Sequence, residues 1–96
     1  MFVVIRFRVA EAEQAEFAVR LQAAVDVLQR QKGFVTARAG RNVDDPELIA
    51  LTMEWLNVGS YRRALSPYDV KLAAVPLLSL AIDEPTAYDD LPELLP

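Results

Sequence analysis

The chain contains no histidine and no cysteine, and only three of its 96 residues are glycine. Without cysteine there is no disulfide and no thiolate chemistry, and composition says nothing about redox compartment. No metal-ligating cluster, no nucleophile–base set and no glycine-rich phosphate loop stands anywhere along it. No apolar run approaches the ~20 residues that a membrane-spanning helix needs, so the sequence predicts no membrane association. A basic stripe is missing too: the 10 Lys and Arg residues are scattered and outnumbered by 14 Asp and Glu, for a net charge of −4. A nucleic-acid backbone would find no counterpart here. Met1 runs directly into Phe2-Val3-Val4-Ile5 with no basic leader and no small-residue cleavage site, which reads as a cytoplasmic protein.

Apolar residues are plentiful. They make up 53% of the sequence, a high share for one domain spanning residues 1–96, and predict apolar surface buried against a partner. Acid is concentrated late, where Asp69, Asp83, Glu84, Asp89, Asp90 and Glu93 face only Lys71.

Phe2 to Val9 alternates, with Val3, Ile5, Phe7 and Val9 on one face and Phe2, Val4, Arg6 and Arg8 on the other, as a strand with one dry face would. Glu11 to Gln31 switches to the helical period, its stripe being Phe17, Leu21, Ala24, Val25 and Leu28, and Gly33 supplies the stop. Phe34 to Arg41 reads as a second strand. The segment NVDDPE (42–47) is turn chemistry, since Asn and Asp bond their own backbone and Pro46 has no amide for a ladder. In the third strand, Leu48 to Trp55, the core face is Ile49, Leu51, Met53 and Trp55. Asn57 caps a helix that ends near Ser66-Pro67. Tyr68 to Asp83 reads as an irregular helical segment with Pro76 in a first turn, and Thr86 to Leu91 as a short acidic edge strand followed by a frayed tail after Pro92.

The order β-α-β-β-α-β is that of the α+β, ferredoxin-like split βαβ, an antiparallel sheet with helices on one face. The other face would expose Phe2, Val4, Phe34, Leu48 and Ala50, and two copies stacking those faces into a dimeric α+β barrel would cover them.

The pattern VIRFRV in the first strand, GF after the first helix, EW closing the third strand, and YRRALSPYDVK leading into LLSLAIDEPTAY resembles the antibiotic biosynthesis monooxygenase family of dimeric α+β barrels. The resemblance spans almost the whole chain. It implies a homodimer and, for an active member, a cofactor-independent monooxygenase acting on a small aromatic substrate of quinol or polyketide type. The haem-degrading branch has a Trp at the position of Trp55, but Leu65 and Ile5 stand where that branch has a His and an Asn. With no histidine to act as axial ligand, haem degradation is not expected. A non-catalytic binding module or a plain dimerisation domain on the same barrel is the alternative.

Several side chains carry two readings. The Trp55 indole could orient a planar substrate or fill the sheet–helix core. Tyr61 and Tyr68 could line a pocket mouth, or pack with their hydroxyls in water. If there is a ligand site, it lies between the core face of the third strand and the helices, with Trp55, Met53 and Leu65 as walls and Tyr61 and Tyr68 at the approach; no residue is assigned to the chemical step. Arg6, Arg8, Arg38 and Glu54 share the open face, where unpaired charge is costly and cross-strand or cross-subunit pairs would resolve it.

Overall fold

The computed structural model describes residues 1–94 of the chain, as β1 (Phe2–Arg8), a 3₁₀ turn (Glu11–Glu13), α1 (Gln14–Leu28), β2 (Phe34–Arg41), β3 (Leu48–Trp55), α2 (Val58–Ala64), α3 (Tyr68–Ala73), α4 (Val75–Leu78) and β4 (Ala87–Tyr88). The period-2 pattern of β1 and β3 puts Val3, Ile5, Phe7, Val9, Ile49, Leu51, Met53 and Trp55 on one side of the sheet, and all of them are buried. Helix α1 lays Phe17, Leu21, Ala24, Val27 and Leu28 over that side. Val25, expected in the stripe, is only partly buried. Beneath it β2 presents Ala37 and Ala39, too small to meet it, so a groove stays open there. The sheet is antiparallel with strand order β2-β3-β1-β4, the ferredoxin-like arrangement.

The turn between β2 and β3 forms as its chemistry requires. Asn42 Oδ1 accepts the amides of Asp44 and Asp45, both at 2.9 Å, and Asp45 Oδ1 accepts that of Glu47 at 3.1 Å. Strand β4 is shorter than expected, two residues in place of the span Thr86 to Leu91, because pairing with β1 ends at Tyr88 before Asp89 and Asp90. A turn closes Leu91 to Leu94 at 3.0 Å; the rest of the tail expected to fray, Leu95 and Pro96, lies outside the described residues.

One expectation about β2 is overturned. Phe34 does not lie on the open face with Phe2 and Val4. A bulge between Phe34 and Thr36 shifts the register against β3, so that Phe34 pairs with Trp55 while Thr36 pairs with Glu54. The extra residue turns the Phe34 ring to the helix side, where it meets Trp55 edge-on.

The segment after α4 is held to β1 by main chain and by charge. Ile82 N–H donates to the Arg6 carbonyl and Val4 N–H to the Thr86 carbonyl, each at 2.8 Å, and the Arg6 guanidinium grips Glu84 with two 2.7 Å bonds. That fork lowers the Glu84 carboxyl below its ordinary value, chiefly through the hydrogen bonds from Arg6. A depressed carboxylate stabilises the fold above its unfolded pKa, and that contribution is lost as pH falls through the folded one. Relative to the intrinsic rate, which itself slows in acid, the protection of the Ile82 and Val4 amides is therefore expected to fall on acidification through the carboxylate range in wild type and to be flatter with pH in Glu84→Gln. Identical pH profiles for the two proteins would show that the main-chain bonds alone hold the segment.

Candidate functional site

The site grows from the end of β3, where the sheet hands over to α2. Trp55 N–H donates to the Met1 carbonyl at 3.0 Å, Leu56 N–H to the Gly33 carbonyl at 2.8 Å, and the Asn57 side chain accepts Ser60 N–H at 2.8 Å, capping α2. Two main-chain bonds and one side-chain cap thus fix the junction that carries the indole. Trp55 is 2% exposed, with Phe34 edge-on to it at a centroid distance of 5.3 Å and Tyr61 tilted against it at 5.6 Å.

Within this aromatic cluster the Trp55 Nε1–H is buried and has no acceptor among the described residues. Leaving such a donor unpaired costs about 1–3 kcal/mol, so natural folds rarely tolerate one without a reason. Tyr61 is 8% exposed, and burial raises its phenol above the ordinary tyrosine value, which keeps it protonated and a hydrogen-bond donor at neutral pH. Ser60 is the buried polar residue beside it; no carboxylate is buried among the described residues. The cluster therefore offers donors and flat apolar walls, the equipment for holding an oxyanion on an aromatic ring.

The structure brings together Trp55, Met53 and Tyr61 in the core, with Leu65 partly buried and packed against it. Tyr68 is not with them. It opens α3 at 77% exposure, because the buried side of that segment is Val70, Ala74 and Leu77 and a residue two positions before Val70 faces the opposite way. Phe34 and Ser60 belong to the cluster and were not expected there. Clefts open elsewhere on the surface. One of about 430 Å³ runs between α1 and β2 over Leu21, Val25, Ala37 and Leu51, on the same core face of β3 as Trp55, and one of about 420 Å³ lies at the far end of β1 between Phe7, Phe17 and Leu80. Among the described residues no group of three or more Asp or Glu is placed to hold a metal ion, and no helix is long and apolar enough to cross a membrane.

The sequence model of the antibiotic biosynthesis monooxygenases matches residues 1–70, which include β1 to α2 and the whole aromatic cluster. The chain belongs to this family. Among solved structures it is similar to SnoaB, a cofactor-independent oxygenase from Streptomyces nogalater, at 30% identity over 95% of each chain with a TM-score of 0.73. It also superposes on a conserved protein from Methanosarcina mazei with a TM-score of 0.72 over 90% of this chain and 84% of that one; at 22% identity this likeness shows the shared fold alone. No curated protein matches the chain. The family membership makes this a monooxygenase-type domain.

Proposed function

We propose that the chain is a cofactor-independent monooxygenase that oxidises a small electron-rich aromatic of quinol or polyketide type beside Trp55, and that it works as a homodimer. The observation that carries the catalytic reading is the buried Trp55 Nε1–H without an acceptor, set between Phe34 and Tyr61. An oxygen atom of a planar substrate would satisfy that donor, and the Tyr61 ring, its centroid 5.6 Å from that of the indole, carries a second one. In such a reaction the ionised substrate itself gives electrons to O₂, so the protein needs to exclude water and stabilise negative charge rather than supply a redox centre. Met53 and Leu65 serve as walls, and Tyr68, turned to solvent at the start of α3, takes no part. SnoaB, 30% identical, supports this chemistry by being a cofactor-independent oxygenase. Haem is not the substrate proposed, since the chain has no histidine for an axial ligand.

The test is oxygen uptake with a panel of polycyclic quinols in metal-chelated buffer, run beside thermal melts with each compound. Uptake that scales with enzyme and yields an oxygenated product supports the proposal. A shifted melt without uptake assigns a binding module, and no response to any planar aromatic removes both.

The homodimer reading rests on the open face. Phe2 and Tyr88 stack at one end of it at 5.3 Å, and Val4, Ala50 and Leu48 follow along the same face toward the other end, with α1 packed on the opposite side of the sheet. The protomer is a slab of 40 × 35 × 21 Å exposing 6447 Å². A folded monomer of 10.7 kDa would expose about 5500 Å². The surplus of roughly 900 Å² is close to the ~800 Å² that each partner buries in a standard interface. Sedimentation is expected to show a dimer at micromolar concentration, and Leu48→Lys to shift it to monomer, since the ammonium would enter an apolar face directly opposite Arg8, a charge of the same sign. A wild type that sediments as a monomer would sink this reading.

A further inference from the structure

The ladder registers fix a grid on the open face. Across β2, β3 and β1 one row is Thr36, Glu54 and Phe2, the next is Arg38, Thr52 and Val4, and the third is Gly40, Ala50 and Arg6. Charges on this face fall into two groups. Arg6 is paired with Glu84 and Arg8 with Asp45, at 2.7 and 3.0 Å, so both are neutralised within the protomer. Arg38 and Glu54 are diagonal neighbours of opposite sign, and neither has an ion-pair partner among the described residues.

Resting on the homodimer reading, we infer that Arg38 and Glu54 form reciprocal ion pairs across the subunit interface and set the angle at which the two sheets stack. A two-fold axis lying in the interface along the Thr36–Thr52–Arg6 diagonal exchanges the two sides of that line. With strands about 4.8 Å apart and about 6.8 Å between successive residues of one face, it carries Arg38, projected on the sheet, to within about 3 Å of a point over the partner's Glu54, and Glu54 likewise over the partner's Arg38. Two long side chains span the ~10 Å between the stacked sheets. The same operation lays Val4 over Ala50 and directs the Phe2 ring toward Gly40, where a Cβ would meet no atom within 4 Å. Apolar thus meets apolar, a ring meets open space, and Arg38 meets Glu54, while Arg6, which the axis brings over its own copy, enters already neutralised by Glu84; this is the self-complementarity that an isologous contact demands. Stacking at another angle would leave these two charges facing an apolar surface or each other's like, so the pair acts on register as much as on affinity.

The test uses charge reversal at both positions. Arg38→Glu puts two carboxylates on the diagonal and Glu54→Arg puts two guanidinium groups there; each variant alone is expected to dimerise ten- to hundredfold more weakly than wild type while keeping its circular dichroism spectrum. Mixed in equal amounts, the two variants are expected to form a heterodimer well above the statistical half in native mass spectrometry, because both reciprocal pairs are rebuilt only between unlike protomers. The double variant Arg38→Glu/Glu54→Arg should homodimerise like wild type. If Arg38 and Glu54 instead paired within one protomer, mixing the single variants would rescue nothing, and the inference would fall. Single variants that dimerise as wild type does also overturn it, leaving the homodimer reading standing, whereas a monomeric wild type removes both.

Discussion

Trp55→Phe is expected to lower the rate of quinol oxidation by about 10²- to 10³-fold while the protein stays folded. That factor is what enzymes lose when one preorganised donor to a developing oxyanion is removed. Phenylalanine retains a flat ring between Phe34 and Tyr61 but has no N–H. Its smaller size leaves a small cavity worth about 1 kcal/mol, offset in part because an unpaired buried donor disappears with the indole. Trp55→Ala gives a different result. The side chain is 2% exposed and touches aromatic rings on two sides, so truncation should cost ~3–5 kcal/mol of folding free energy, enough to confuse lost activity with lost structure. The Phe variant is therefore the one that separates the two readings of this tryptophan. If it turns over at the wild-type rate, the N–H is not used and Trp55 is packing; if its rate falls and its urea midpoint barely moves, the indole is catalytic.

Much of the architecture is legible in the sequence because the local signals agree with the global fold. The alternation of β1 and β3 had one solution that buried both apolar sets, and the Asn42–Glu47 turn and the Asn57 cap bond their own backbones with no help from the rest of the molecule. The bulge at Phe34 was invisible for the opposite reason. Phe34, Val35 and Thr36 alternate acceptably in either register, and only the docking of Phe34 against Trp55 selects the shifted one. Tyr61 and Tyr68 are chemically the same residue, yet one is buried and the other stands in water. Helical spacing did hold a clue, since Tyr68 is out of phase with Val70, Ala74 and Leu77, the side that α3 and α4 bury. Nothing in sequence could show that the Trp55 N–H lacks an acceptor, because that is a property of every neighbour at once.

Gly33→Ala should be the most damaging single methyl in this protein. Gly33 adopts φ +95, a backbone region that costs an L side chain about 1–2 kcal/mol. A Cβ there would also sit 2.4 Å from Ser60 Cβ and 2.5 Å from Ser60 Oγ, where α2 begins. Overpacking of this kind adds about 1–3 kcal/mol, giving an expected loss of roughly 2–5 kcal/mol in urea unfolding. The two contributions separate in a cycle with Ser60→Gly, which removes both clashing atoms and leaves the backbone penalty; the pair should show a coupling of about 1–3 kcal/mol. The consequence reaches the site. The Gly33 carbonyl accepts Leu56 N–H, next to Trp55, and Gly33 precedes Phe34, so any shift that relieves the clash moves two rings of the cluster against each other. Trp55 is the sole tryptophan, and its emission reports on that packing directly. Gly33→Ala should therefore show a red-shifted emission along with its lowered midpoint, and the double variant should recover part of both. A variant with wild-type stability and emission would mean that α2 yields freely at Ser60, and that the junction at Gly33 does not set the position of the indole.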